Sequence, residues 1–215
     1  AGRRMDYRKG LLNALDTFHA RTDQQQEFAR TYDEFQERAL GMITSPKAKD
    51  AFEIGREPEK VRDAYGRNRV GQGLLLARRL VEAEVPYIQV NWSEYVEAMS
   101  PGCDFGWDTH IYNFELLQDQ HCPILDRAFS ALLDDLYERG LMDDTLVICM
   151  GEFGRTPKIN DREGRDHYPK AYSQLIAGGG IRGGQVHGKT NKQGGEVVDN
   201  KVGVTDFNAT IVYAL

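Results

Sequence analysis

The side chains best suited to chemistry fall in two short stretches. The first is Trp107-Asp-Thr-His110. Asp108 and His110 are two residues apart, so in extended backbone they project to one side. A carboxylate and an imidazole sharing a side are half of a metal site. The same pair is also a common structural hydrogen bond. The second stretch follows the apolar run Thr145-Leu-Val-Ile-Cys-Met150 and carries Glu152, Arg155, Arg162, Arg165, Asp166, His167 and Lys170. Gly151 and Gly154 let this backbone turn sharply and pass close to a ligand, and Pro157 keeps a helix from starting cleanly. A long polar loop inside a compact domain is functional more often than idle; the alternative is a surface loop whose charges pair with one another.

Elements must hold these stretches in place. The run 145–150 is short, β-branched and apolar, which predicts a strand buried on both faces of a parallel sheet. Ligands of open α/β sheets sit at the carboxyl ends of such strands, so a site is expected just past Met150. Leu74, Leu75, Ala77, Leu80 and Val81 form the apolar face of a predicted helix over 73–84, with Arg78 and Arg79 pointing elsewhere. The alternation Pro86-Tyr-Ile-Gln-Val-Asn-Trp92 predicts a strand after it. The longest predicted helix spans 112–139, with Phe114, Leu117, His121, Leu125, Phe129, Leu132 and Leu136 on one face; Pro123 should kink or divide it. His121 reads as packing rather than as a ligand. Residues 172–177 predict a further strand, 183–195 a hairpin containing Gln185-Val-His-Gly188, and Thr205-Asp206 the cap of a last helix, 207–215. Gly178-Gly-Gly180 lacks the context of a phosphate-binding loop.

Residues 1–60 read as a helical segment packing on the core. Leu11, Leu12, Leu15 and Phe18 form one stripe, and Phe28, Tyr32, Phe35 and Leu40 another. His19 reads as a charge partner of a helix end. Ser45-Pro46 signals a helix start. Residues 61–215 read as the main α/β domain. The fold expected is a three-layer sandwich with a mostly parallel central sheet and a peripheral helical layer at the amino-terminal end.

Composition narrows the classes. The 215 residues are 40% hydrophobic and 28% charged, with a net charge of -6 and a pI of 5.4. That suits a globular chain and argues against nucleic acid as partner. No apolar run reaches the length of a membrane span, and no apolar segment follows Arg3-Arg4 to make an export signal. Cys149 reads as packing; Cys103 and Cys122 could pair, but three cysteines leave the redox compartment open.

Gly151-Glu-Phe-Gly-Arg-Thr-Pro157, Gly164-Arg-Asp-His-Tyr-Pro169 and Ala177-Gly-Gly-Gly-Ile-Arg-Gly-Gly184 resemble the hallmark of a family of exported bacterial proteins of unknown function. That family is usually grouped with the sulfatase and alkaline phosphatase superfamily. Gly71-Gln-Gly-Leu-Leu-Leu-Ala-Arg-Arg-Leu-Val-Glu82, Trp107-Asp-Thr-His110 and Thr205-Asp-Phe-Asn-Ala-Thr-Ile211 extend the likeness over about 65–215. The family's chains are longer, so the resemblance implies a carboxy-terminal part, lacking the nucleophile and partnered by its missing half or by a second copy.

The resemblance further implies export to the periplasm or cell surface and one divalent ion, zinc or calcium, on Asp108, His110 and His167. It implies hydrolysis of sulfate or phosphate esters. Arg155 would be a bidentate clamp on the anion, Arg165 and Lys170 further substrate contacts, and Glu152 a base or second-site ligand. Glu152-Phe-Gly154 stands where the superfamily has Asp-His-Gly. Phenylalanine cannot bind metal, so a second metal position should be weakened or lost. The competing expectation is an exported binding or surface protein that has lost catalysis.

Overall fold

The computed structural model describes residues 35–37, 41, 45–92 and 106–215. The chain divides into two compact units, 1–52 and 53–215. In the first unit, helix α1 spans Pro46–Ala51 and starts where Ser45-Pro46 predicts. The Ser45 side chain accepts a hydrogen bond from the Ala48 N–H at 2.9 Å, and proline occupies the first turn, where its missing N–H costs nothing. Residues 35–37 are helical, and Phe35 is exposed. The expected stripes over 11–32, Leu40 and His19 lie outside the described residues.

The second unit is built on helices. A 3₁₀ turn, Ile54–Arg56, leads into α2, Glu59–Tyr65, and then α3, Arg69–Glu82. Asn68 caps α3 by accepting from the Gly71 N–H at 2.9 Å, which starts the helix four residues earlier than the apolar periodicity predicts. After residue 106 come α4, Asn113–Leu116, a π-helical turn, Leu117–His121, and α5, Cys122–Glu138. Pro123 lies in the first turn of α5. Its ring cannot donate to the preceding turn, and the backbone widens there instead of breaking. Tyr65, Leu75, Leu132 and Leu136 are the buried core, with Leu74, Val81, Ala131, Met142 and Val147 packed around it.

Arg78 does not point away from this core; it is 1% exposed. Its guanidinium lies 2.8 Å from Glu57, 2.6 Å from Glu82 and 2.9 Å from Asp135. Arg79 also meets Glu57, and Arg139 meets Asp135 and Glu82 at 2.6 Å each. Nε and Nη2 of Arg78 reach ion-pair distance without being aligned for hydrogen bonds. Three guanidinium groups thus face three carboxylates. Burial would lower the Arg78 pKa, but the carboxylates of Glu57, Glu82 and Asp135 outweigh it and hold the charge in place. Periodicity assigns arginine to solvent because it cannot see acidic partners arriving from other elements.

The expected parallel sandwich is not what forms. Among the described residues the strands make three separate two-stranded antiparallel pairs. β1, Leu146–Cys149, pairs with β4, Leu175–Gly178, with Val147 opposite Ala177 and Ile148 opposite Ile176. β2, Gly154–Arg155, pairs with β3, His167–Tyr168, and β5, Lys189–Thr190, with β6, Val197–Asp199. A parallel partner needs a crossover, usually a helix. The segment between β1 and β4 has no helical periodicity, contains Pro157, and turns back instead. All four β1 residues are half-buried rather than fully enclosed. Residues 86–92 find no ladder partner among the described residues and are not a strand; Tyr87 is 76% exposed. An alternating pattern fits a strand only where a neighbour supplies hydrogen bonds.

The expected hairpin is displaced along the chain. Its strands are β5 and β6, and Gln185-Val-His-Gly188 lies before them. The glycines at 178–180 all take positive φ and end β4. A Cβ on Gly178 would sit 2.1 Å from the Thr145 carbonyl oxygen, so only glycine fits this turn. The last helix, α6, Val204–Ala214, begins when Asp206 accepts from the Gly203 N–H at 2.9 Å. Cys122 and Cys149 are free thiols; Cys103 lies outside the described residues.

Candidate metal centre

Two segments distant in sequence are laced together to make the site. Arg165 N–H donates to the Thr109 carbonyl at 3.0 Å, Asn113 N–H to the Glu163 carbonyl at 3.1 Å, and the Asn160 side chain to the His110 carbonyl at 3.0 Å. Gly164 passes so close that a Cβ there would lie 1.9 Å from the His110 oxygen. No side chain fits this approach. Tyr112 and Glu163 flank the crossing and take positive φ, 48° and 58°. Such backbone costs of order 1–3 kcal/mol per residue and clusters at functional sites.

The 156–166 loop is wound on Asn160. Its side-chain oxygen accepts the Arg162 and Gly164 N–H groups at 2.9 and 3.0 Å. Thr156 and Asp166 bridge the base of the loop: Thr156 N–H donates to the Asp166 carbonyl at 2.9 Å, and Asp166 N–H to Thr156 Oγ1 at 3.1 Å. Arg165 donates back to the Thr156 and Pro157 carbonyls at 2.6 and 2.8 Å, with its guanidinium carbon 5.7 Å from the Phe114 ring centre.

These constraints bring Asp108, His110 and His167 together. Asp108 Oδ1 lies 2.8 Å from His167 Nε2 and 3.1 Å from His110 Nε2, and the two Nε2 atoms are 3.1 Å apart. The cause is not the one the sequence suggests, two loops opening at one edge of a parallel sheet. Register does it: Arg155 sits opposite His167 in the β2–β3 pair, and both reach Asp108. The side chains are about one-third to one-half exposed, with Asp108 at 47%, His110 at 31% and His167 at 48%.

The donor set fits a divalent ion. His110 Nδ1 faces Asp166 Oδ1 at 2.9 Å. An imidazole donating Nδ1–H there turns a lone pair on Nε2 toward Asp108 and His167. Lone pairs of His110 Nε2 and Asp108 Oδ1 facing at 3.1 Å repel unless a proton or a cation lies between them. A tetrahedral zinc site with bonds of about 2.0–2.1 Å spaces its ligands about 3.3 Å apart, so little movement separates this triangle from a coordination sphere. Burial alone would raise the Asp108 carboxyl, but hydrogen bonds from His167 and Arg155 and the nearby positive charge hold it below the usual carboxylate range. Hydrogen bonds from His110 and Asn160 do the same for Asp166.

The other expected site residues are placed differently from the three ligand candidates. Arg155 donates to Asp108 Oδ1 at 2.6 Å, to the Trp107 carbonyl at 2.9 Å and to the Arg165 carbonyl at 3.2 Å. It ties the two segments together. Arg165 is held by the loop's own carbonyls. Glu152 and Lys170 are exposed and outside the hydrogen-bonded cluster. Phe153 packs on the His167 ring, centroids 4.3 Å apart. His121 is fully buried against Trp92 and Trp107.

The sequence shows Asp166 among the polar residues of the loop and next to His167, but gives it no role. Nothing in sequence ties Asn160 to His110.

A family model described as "Protein of unknown function (DUF1501)" matches residues 2–215. No curated protein and no solved structure matches the chain. No helix among the described residues is long and apolar enough to cross a membrane.

Proposed function

The chain belongs to the DUF1501 family, and we propose that it is a metal-binding protein acting on anionic esters, with Asp108, His110 and His167 as ligands. The observation that carries this reading is the triangle of potential ligand atoms, Asp108 Oδ1 and the two Nε2 atoms, with edges of 2.8–3.1 Å. Two imidazoles and one carboxylate suit zinc better than calcium, which prefers an all-oxygen shell of six to eight ligands. An ion held there supplies Lewis acidity toward an ester oxygen or a water. Asp166 orients His110, Phe153 shields one face of His167, and Arg155 fixes the Asp108 carboxylate. The likeness to sulfatases and alkaline phosphatases supplies the substrate class, sulfate or phosphate esters, and the expectation of export.

A second reading, metal binding without turnover, has its own support. The arginine suited to clamp an anion is engaged by Asp108 and two carbonyls, and Arg165 by two more. Elemental analysis of the purified protein, with aryl sulfate and aryl phosphate hydrolysis measured on the same samples, separates the readings. About one zinc per chain with hydrolysis lost in Asp108→Ala supports the hydrolase. Zinc without hydrolysis supports the binding protein, and absence of tight zinc binding refutes both.

A further inference from the structure

We infer that Asp166, anchored by Asn160, is the positioning residue that selects the imidazole tautomer of His110 and so makes its Nε2 a ligand atom. Part of this inference, the consequence for metal affinity, rests on the metal reading above; the tautomer itself does not.

Histidine presents either ring nitrogen, and the hydrogen bond made by one decides what the other offers. In metal sites a carboxylate on the non-ligating N–H fixes both tautomer and ring orientation. Asp166 Oδ1 stands 2.9 Å from His110 Nδ1, on the side away from Asp108 and His167. Asn160 Nδ2 donates to that same carboxylate oxygen at 3.1 Å and to the His110 carbonyl at 3.0 Å. One amide therefore holds the histidine's backbone and the histidine's carboxylate partner together. The Asp166 backbone is pinned by Thr156 on both its N–H and its carbonyl. One amide thus holds the carboxylate and two groups of Thr156 hold its backbone, although the side chain is 54% exposed. Nothing in core packing requires that, because an exposed aspartate contributes little to stability on its own. His167 has no comparable carboxylate on its far nitrogen among the described residues; its ring rests on Phe153. The two histidines are therefore held by different means, and the electrostatic one falls on His110.

The test compares wild type with Asp166→Ala and Asp166→Asn. Asparagine keeps an acceptor for the His110 N–H but removes the charge. In metal-free protein in mildly alkaline buffer, two-bond ¹⁵N–¹H correlations should show His110 protonated on Nδ1 in wild type and Asp166→Asn. In Asp166→Ala the proton should move toward Nε2. Zinc affinity by competition with a chromophoric chelator should fall about 10- to 100-fold in Asp166→Ala and less in Asp166→Asn. Circular dichroism confirms that the variants are folded, and the exposed position of Asp166 makes that the expected result. An unchanged His110 tautomer in Asp166→Ala overturns the inference. If wild type shows the Nδ1–H form but binds no zinc, the positioning role stands and the metal reading fails. If zinc binds equally to all three proteins, the metal reading stands and the positioning role fails.

Discussion

Two clusters of charged side chains in the same unit are built on opposite plans. Around Arg78, three arginines meet three carboxylates, and the central guanidinium is 1% exposed. Around Asp108, two imidazoles and two carboxylates gather potential ligand atoms beside one guanidinium, half-open to solvent. The first cluster is complete in itself, since every carboxylate has a fixed cation. The second is left asking for a proton or an ion. A balanced buried network serves structure, whereas an unbalanced accessible one can bind.

The comparison breaks most visibly at Arg78. Replacing it with Met leaves Glu57 and Asp135 mostly buried beside fewer cations. Removing one partner of a buried ion pair costs about 3–5 kcal/mol, and urea unfolding should show a loss of that order. Lysine should not restore it, because one ammonium cannot reach three carboxylates in the way a guanidinium fork does. Asp108→Ala should behave in reverse. At a partly exposed position the stability cost should stay within about 1 kcal/mol. Zinc affinity by chelator competition should fall by more than the roughly 10- to 100-fold expected for an outer partner.

Acid sharpens the contrast. Burial would raise the Glu57 carboxyl, but hydrogen bonds and charge from Arg78 and Arg79 outweigh it and lower it. A carboxyl lowered in the fold contributes stability fully present above its unfolded value, about 4.3 for Glu, and lost as pH falls through the folded value. Unfolding free energy should therefore drop below about pH 4. Glu57→Gln should flatten that limb while lowering stability at neutral pH. Asp166→Asn should flatten the limb less, because the Asp166 carboxyl, although also lowered, is exposed and screened by solvent. Equal flattening by both would mean that the two clusters do not differ as described.

Sequence pattern reached some of this and missed some for identifiable reasons. Helix α3 was legible from its apolar periodicity, though not its start at the Asn68 cap, and the interruption at Pro123 and the Ser45-Pro46 start were legible because prolines and caps act locally. The pairing of β1 was not, because a four-residue apolar run carries no direction; direction depends on whether the following chain crosses over or turns back. The Arg78 burial was invisible for a similar reason, since Glu57 and Asp135 come from other elements. At the site, the spacing of Asp108 and His110 suggested half of a metal site, and the family resemblance alone added His167. The backbone crossing that brings them there depends on Gly164 and Asn160, whose roles appear only in three dimensions.

The smallest effect is expected at His121, which lies behind the site without belonging to it. Its Nδ1 bonds to the Leu116 carbonyl at 2.9 Å, while its Nε2 is buried with no hydrogen-bond partner among the described residues. The ring stacks on Trp92 at 5.4 Å and meets Trp107 edge-on at 5.1 Å. In His121→Phe, one hydrogen bond of about 0.5–1.5 kcal/mol is lost, and an unsatisfied buried nitrogen worth about 1–3 kcal/mol in desolvation is removed with it. The two terms oppose each other, and the aromatic packing is kept. Stability should change by less than about 1.5 kcal/mol in either direction, and zinc affinity by no more than about twofold. A larger loss of zinc affinity, measured by the same competition as for Asp108→Ala, would mean that Trp107 transmits the packing of His121 to Asp108. The site would then extend into the π-helical turn at Leu117–His121, and the separation of the metal cluster from the packed interior would have to be redrawn.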